Sequence, residues 1–90
     1  MKKCIVTVLG EDTVGIIAKV CTYLAENEIN ILDISQTIVQ GYFNMMMIVD
    51  GSGASVSFDE MASGLDEIGT GIGVNIKCQR EEIFTKMHRI

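Results

Sequence analysis

The dipeptide Gln40-Gly41 constrains this chain more than any other feature. It sits between two runs rich in β-branched and large apolar residues, Asn30 to Val39 and Tyr42 to Val49. A short turn ending in glycine between two such runs marks a hairpin, though a weaker one than Asn-Gly. A helical pattern precedes the first run and another follows the second. Each helical pattern is joined to one further strand-like stretch at the far end. The chain therefore reads as a strand, helix and strand on either side of a turn.

The first strand is read over residues 3–9, where Ile and Val are frequent. From Val14 the period changes. Val14, Ile17, Ala18, Cys21, Leu24 and Ala25 recur at intervals of three and four, which predicts one face of a helix ending near Asn27. Asp12 or Thr13 is expected to cap its start. Asp50 to Ser57 reads as loop, being rich in Gly and Ser. Ser57, with Glu60 three residues on, is a capping box. Phe58, Met61, Leu65 and Ile68 trace the second helix, with Gly69 its expected stop. A fourth strand is read from Val74 to Cys78. Ile83, Phe84, Met87 and Ile90 form one side of a short terminal helix, acidic at its start (Glu81, Glu82) and basic at its end (Lys86, His88, Arg89), as a helix dipole favours.

This order predicts an α+β fold: a ferredoxin-like βαββαβ sandwich, with a four-stranded antiparallel sheet and an extra C-terminal helix. Right-handed crossovers place both helices on one face and leave the other bare. In strand three, Phe43, Met45, Met47 and Val49 are expected to face the helices, and Tyr42, Met46 and Ile48 the opposite side. In strand one, Cys4, Val6 and Val8 should share a side, with Ile5 and Leu9 on the other. An apolar bare face calls for a cover, either the terminal helix or a second copy of the chain. A chain of 90 residues, 48% of them hydrophobic, is read as one domain over residues 1–90, with its core at 3–79 and the terminal helix at 80–90.

Charge narrows the function. The net charge is −5, and no Lys or Arg occurs between Lys19 and Lys77. That span holds eight carboxylates, so no nucleic acid partner and no membrane surface is expected, both being anionic. No apolar run approaches the roughly 20 residues that span a bilayer. The basic start, Lys2-Lys3, is followed by too short an apolar stretch for a signal peptide, so a cytoplasmic location is expected. Cys4, Cys21 and Cys78 are far apart, with no C-x-x-C, and the single histidine is His88. No metal site assembles from them, and each thiol is expected to serve as a small core side chain. No catalytic constellation, phosphate-binding glycine motif or cofactor signature is present, so the chain is read as no enzyme and without cofactor.

The first loop, Gly10 to Gly15, remains. A helix N-terminus offers free N–H groups and partial positive charge to an anion. Glu11 and Asp12 repel a phosphate there, but a zwitterion suits both: its carboxylate meets the N–H groups and its ammonium meets Asp12. Gly15 permits close approach of the backbone, and Asn30 can add a side-chain amide. A free amino acid is the best-matched small ligand. The plainer alternative is that Asp12 only caps the helix and Gly15 only relieves crowding.

The stretch VLGEDTVGIIAKVCTYLAENEINILDISQT resembles the opening of an ACT domain: a strand, G-x-D-x-x-G-[IV], a helix, then N-I-x-x-I-S-Q. GYFNMMMIVD and NIKCQREEIFTKMHRI extend the resemblance across essentially the whole chain, toward free-standing prokaryotic ACT proteins. Similar stretches open the glycine cleavage repressor and formyltetrahydrofolate deformylase, where the ACT unit is an attached sensor. The resemblance implies the fold derived above and pairing of domains, often side by side into one eight-stranded sheet. It implies amino acids bound at that junction, against the first loop and the start of strand two of the neighbour. By position the implied ligand residues are Asp12, Thr13, Val14, Gly15 and Ile16, with Asn30 and Ile31 from the partner. The expected role is a non-catalytic regulatory module, a homodimer that binds an amino-acid-like ligand and signals to a partner enzyme or regulator. The alternative is a protein–protein interaction module with no small ligand.

Overall fold

The computed structural model describes residues 2–11 and 14–82. The elements follow in the order β1 (Lys3–Glu11), α1 (Ile16–Glu26), β2 (Asn30–Val39), β3 (Tyr42–Asp50), α2 (Phe58–Ile72) and β4 (Val74–Arg80). The sheet order is β2-β3-β1-β4, every pair antiparallel. This is the expected βαββαβ sandwich. Of the terminal helix read over 80–90, Arg80 belongs instead to β4, Glu81 and Glu82 are helical, and residues 83–90 lie outside the described residues.

The two central strands carry the core. Cys4, Val6 and Val8 of β1 stand opposite Val49, Met47 and Met45 of β3, and all six are fully buried. β3 alternates as the sequence predicts: Phe43, Met45, Met47 and Val49 are buried, whereas Tyr42, Asn44 and Met46 are exposed. Val74 and Ile76 of β4 extend the layer. The helices close it with Ile16, Val20 and Leu24 of α1 and Met61 and Leu65 of α2. Burying each such side chain stabilises the fold by about 1.5–3 kcal/mol.

The apolar face of α1 differs from the expected one. Leu24 is buried and Cys21 half-buried, but Val14, Ile17, Ala18 and Ala25 are exposed. The sequence offers two neighbouring apolar stripes. The stripe of larger side chains, Ile16, Val20 and Leu24, removes more area from water and faces the sheet. Asp12 and Thr13, the expected caps of α1, lie outside the described residues. Gly15 occupies the N-cap at φ 90°, and among the described residues no side chain caps the helix. The first helical bond runs from the Lys19 N–H to the Gly15 carbonyl at 3.0 Å.

α2 begins as the sequence predicts. The Ser57 hydroxyl oxygen accepts from the Glu60 N–H at 3.2 Å, and the Glu60 carboxylate accepts from the Ser57 N–H at 3.1 Å. Ser57→Ala is expected to cost about 1 kcal/mol, measurable by urea denaturation. An unchanged midpoint would show the box to be idle. The end of α2 is not at Gly69. The helix continues to Ile72, and Gly73 at φ 80° ends it, its N–H donating to the Gly69 carbonyl. Gly69 is buried inside the helix because β4 passes directly beneath it: a Cβ there would stand 2.7 Å from the Val74 carbonyl oxygen.

The hairpin turn has positive φ at both residues, 52° at Gln40 and 82° at Gly41, the type I′ geometry that matches strand twist. It makes β2 an edge strand. All of β2 except Ile31 is exposed. On the sheet face opposite the helices, Leu9, Tyr42 and Met46 are exposed, Ile48 is half-buried and Ile5 is buried.

Candidate functional site

The start of α1 stands at one end of the sheet. There Glu11 lies opposite Tyr42, and Tyr42 lies opposite Val39, the last residue of β2. α1 crosses above the sheet without covering β2. The result is a groove of about 290 Å³ between the first turn of α1 (Gly15 to Ala18) and the helix-facing side of Gln36, Ile38 and Phe43. Its walls are apolar apart from the Gln36 amide. A Cβ built on Gly15 meets nothing within 4 Å, so the backbone there is open to an approaching group. The first turn of α1 holds no acidic residue, and no side chain among the described residues caps it. Its leading N–H groups carry the positive end of the helix dipole.

The expected site residues fall unequally on this frame. Asp12 and Thr13 lie outside the described residues. Val14 is 99% exposed beside the groove, and Gly15 lines it. Ile16 lines it too, but its side chain belongs to the core, which leaves its N–H as the group on offer. Asn30 and Ile31 lie elsewhere. Asn30 pairs with Asp50 and Ile31 with Val49, at the opposite end of the sheet from the groove. Five to eight residues of β2 separate them from Gln36 and Ile38, roughly 17–26 Å at about 3.3 Å per residue. One copy of the chain does not bring the two groups together. Gln36, Ile38 and Phe43 were not expected at the site. Counting alternate residues along β2 assigns Gln36 and Ile38 to the helix side, but no chemical signal marks them.

A second cleft, about 630 Å³, is at the Asn30 end and is lined by Lys2, Lys3, Arg80, Asp50, Glu81, Glu82 and Ser52. Its three cations and three carboxylates balance. The Asp50 carboxylate is already engaged, accepting from the Ser52 N–H at 2.9 Å and hydroxyl at 2.6 Å, which holds its pKa down. The Arg80 guanidinium lies 4.3 Å from the centroid of the Phe58 ring. This end offers less to a small guest than the groove does.

The Cys4 and Cys78 thiols are chemically quiet. Burial pushes the Cys78 pKa up to about 12 with the neighbouring Cys4 adding to it, and burial pushes Cys4 up as well. Nucleophilic attack and metal ligation need the thiolate, which these surroundings disfavour. In the native protein at pH 8, Cys4 and Cys78 are expected to resist a maleimide and to react once guanidinium is added. Fast native labelling of Cys78 would contradict this. The folded state keeps these protons longer than the unfolded chain does. The associated stability is therefore full below the ordinary thiol value of 9.0 and declines as pH rises from there toward about 12. Among the described residues, no group of three or more His, Cys, Asp or Glu side chains is placed to hold a metal ion. No helix among them is long and apolar enough to cross a membrane.

The family profile described as the ACT domain matches residues 2–79. The chain belongs to the ACT domain family. A UPF0237 protein of Bifidobacterium longum is 64% identical to this ACT domain over 90 residues, the whole of both chains. Among solved structures, an ACT domain protein from Streptococcus pneumoniae is 38% identical with a TM-score of 0.80, covering 92% of this chain and 93% of its own. A formyltetrahydrofolate deformylase from Pseudomonas syringae shares the fold at 21% identity and a TM-score of 0.80, over 88% of this ACT domain and 27% of the deformylase. The regulatory subunit of aspartate kinase from Thermus thermophilus matches at 25% identity and a TM-score of 0.67, over 87% of this chain and 50% of that one. The fold and the family are as the sequence resemblance implies.

Proposed function

We propose that this ACT domain is a non-catalytic regulatory module that binds a small amino-acid-like ligand as a homodimer and signals to a partner enzyme or regulator. One observation carries the reading: the start of α1, with Gly15 left-handed at its N-cap, opens onto an apolar groove. The N–H groups of that turn suit a carboxylate. Asp12, just before it in the chain, supplies the counter-charge for an ammonium. The groove receives the side chain.

The place of Asn30 supports the dimer. Its amide is at the far end of β2 from the groove in its own chain. Side-by-side antiparallel pairing with a second copy reverses the partner's β2 and carries Asn30 and Ile31 of the partner subunit to the groove end. A ligand held by both copies then favours one dimer geometry over another, which is how a bound amino acid reaches the signalling partner.

Titration calorimetry of the dimer with each of the twenty amino acids at millimolar concentration tests the reading. Heat is expected for at least one, and Asp12→Ala should abolish it. No heat from a folded dimer would sink the ligand and favour the second reading, an interaction module. That reading draws on the exposed Leu9, Tyr42 and Met46 of the bare sheet face.

A further inference from the structure

The groove beside the start of α1 has a chemical character of its own. Ile16, Ile17 and Ala18 wall it from the helix, Ile38 and Phe43 from the sheet, and its one polar side chain is Gln36. Among the described residues, no charged side chain lines it. Charges close by in the sequence turn elsewhere. Lys19 follows Ala18 but lines the hollow on the α2 side of α1, with Tyr23, Glu26 and Ile68. Asp33 pairs with Ile48 and Glu11 with Tyr42, on the sheet face opposite the helices. Asn30 and Ile31, which the dimer reading brings from the partner subunit, are uncharged too.

The groove also has a direction. Glu11 and Tyr42 mark the turn end of the sheet, and α1 sets off from there back along β2. Gly15 therefore stands toward Ile38, and Ala18 toward Gln36. Three residues of helix advance about 4.5 Å, and two residues of strand about 6.6 Å. A guest whose carboxylate meets the first N–H groups of α1 has its side chain running over Ile38 toward Gln36. Roughly four chain atoms, at about 1.5 Å per bond, fill that run. Ile17 (37%) and Ile38 (56%) are exposed along it, whereas Ile16 and Phe43 are buried. The exposed pair is the apolar surface that a guest removes from water.

We infer that the ligand of this groove is an amino acid with an uncharged, apolar side chain of the length of leucine or methionine, lying over Ile38 with its tip at Gln36. The inference rests on the ligand-binding reading above and names the class of that ligand. Each CH₂ buried against Ile17 and Ile38 is worth about fourfold in affinity. Glycine leaves the groove empty and forgoes that gain. A lysine or glutamate side chain exchanges water for apolar walls with no opposite charge to meet it. The Gln36 amide can donate and accept hydrogen bonds but supplies no countercharge, so it closes the far end of the groove without admitting an ion.

Titration calorimetry of the wild-type chain with leucine, methionine, glycine, lysine and glutamate tests the class. Leucine or methionine is expected to bind at least tenfold more tightly than any of the other three. A second variant tests where the side chain lies. Ala18 is exposed and leucine is a good helix former, so Ala18→Leu should fold, which circular dichroism verifies. The added side chain narrows the groove, and leucine and methionine should bind this variant at least tenfold more weakly than wild type. Undiminished binding would overturn the placement of the side chain in the groove. A preference for glycine or for a charged amino acid would overturn the inference and leave the ligand-binding reading standing. No heat from any of the twenty amino acids would overturn both.

Discussion

Gly69→Val is expected to remove a large part of the stability of this ACT domain. Gly69 is buried in the interior of α2, directly over the start of β4. A first side-chain carbon would stand 2.7 Å from the Val74 carbonyl oxygen and 3.0 Å from the Ile76 side chain. Neither neighbour is free to yield. Val74 is paired with Gly10 and Ile76 with Val8, and a Cβ at Gly10 would itself press on Val74. Overpacking of this kind costs typically 1–3 kcal/mol and sometimes more, and a valine adds two methyls to the clash, so about 3–5 kcal/mol is expected. A domain of this length has roughly 5–13 kcal/mol in total. The melting temperature should fall by about 4–8 °C for each kcal/mol. Gly71→Ala is the matched control. It lies two residues on in the same helix, with nothing within 4 Å of an added Cβ. That change should stabilise by about 0.4–1 kcal/mol. Equal behaviour of the two variants would show that helix propensity, not contact with β4, governs this segment.

The second large effect concerns assembly. If two copies pair side by side through β2, as the proposed function has it, lysine at both Ile34 and Ile38 is expected to convert that dimer to monomer with little change in the circular dichroism spectrum. Both residues are more than 40% exposed in the single copy, so the fold relies little on them. Across a two-fold axis each substitution counts twice. Losing the burial of four half-exposed isoleucines and crowding four ammonium groups should weaken association by about 3 kcal/mol or more, which is roughly 100-fold. Sedimentation across a range of protein concentrations measures this. Undiminished dimer would move the contact to the bare face around Leu9, Tyr42 and Met46, where the interaction-module reading would place it.

The strands and the hairpin were legible in the sequence because their signals are local. β3 alternates without a break, Gln40-Gly41 lies between two β-rich runs, and Ser57 with Glu60 announces α2. Two features were not legible because the sequence permits two answers and tertiary packing chooses. α1 carries adjacent apolar stripes, and only the sheet decides that Ile16, Val20 and Leu24 outweigh Val14 and Ile17. α2 carries Gly69, Gly71 and Gly73, and the left-handed residue that ends it is the last of the three. At the candidate site, Gly15 could be found from its motif. Gln36, Ile38 and Phe43 could not, since an edge strand declares its apolar residues but not which helix end they face. The separation of Asn30 from the groove depends on strand direction, which no residue type announces.

That separation has a consequence for how such a sensor would behave in a cell. A receptor assembled from the front of one molecule and the back of another does not exist when copies are scarce. Abundance then sets responsiveness: halving the supply of polypeptide near the association threshold removes more than half of the competent receptors. The amino acid, by bridging the halves, would in turn recruit the receptor that detects it.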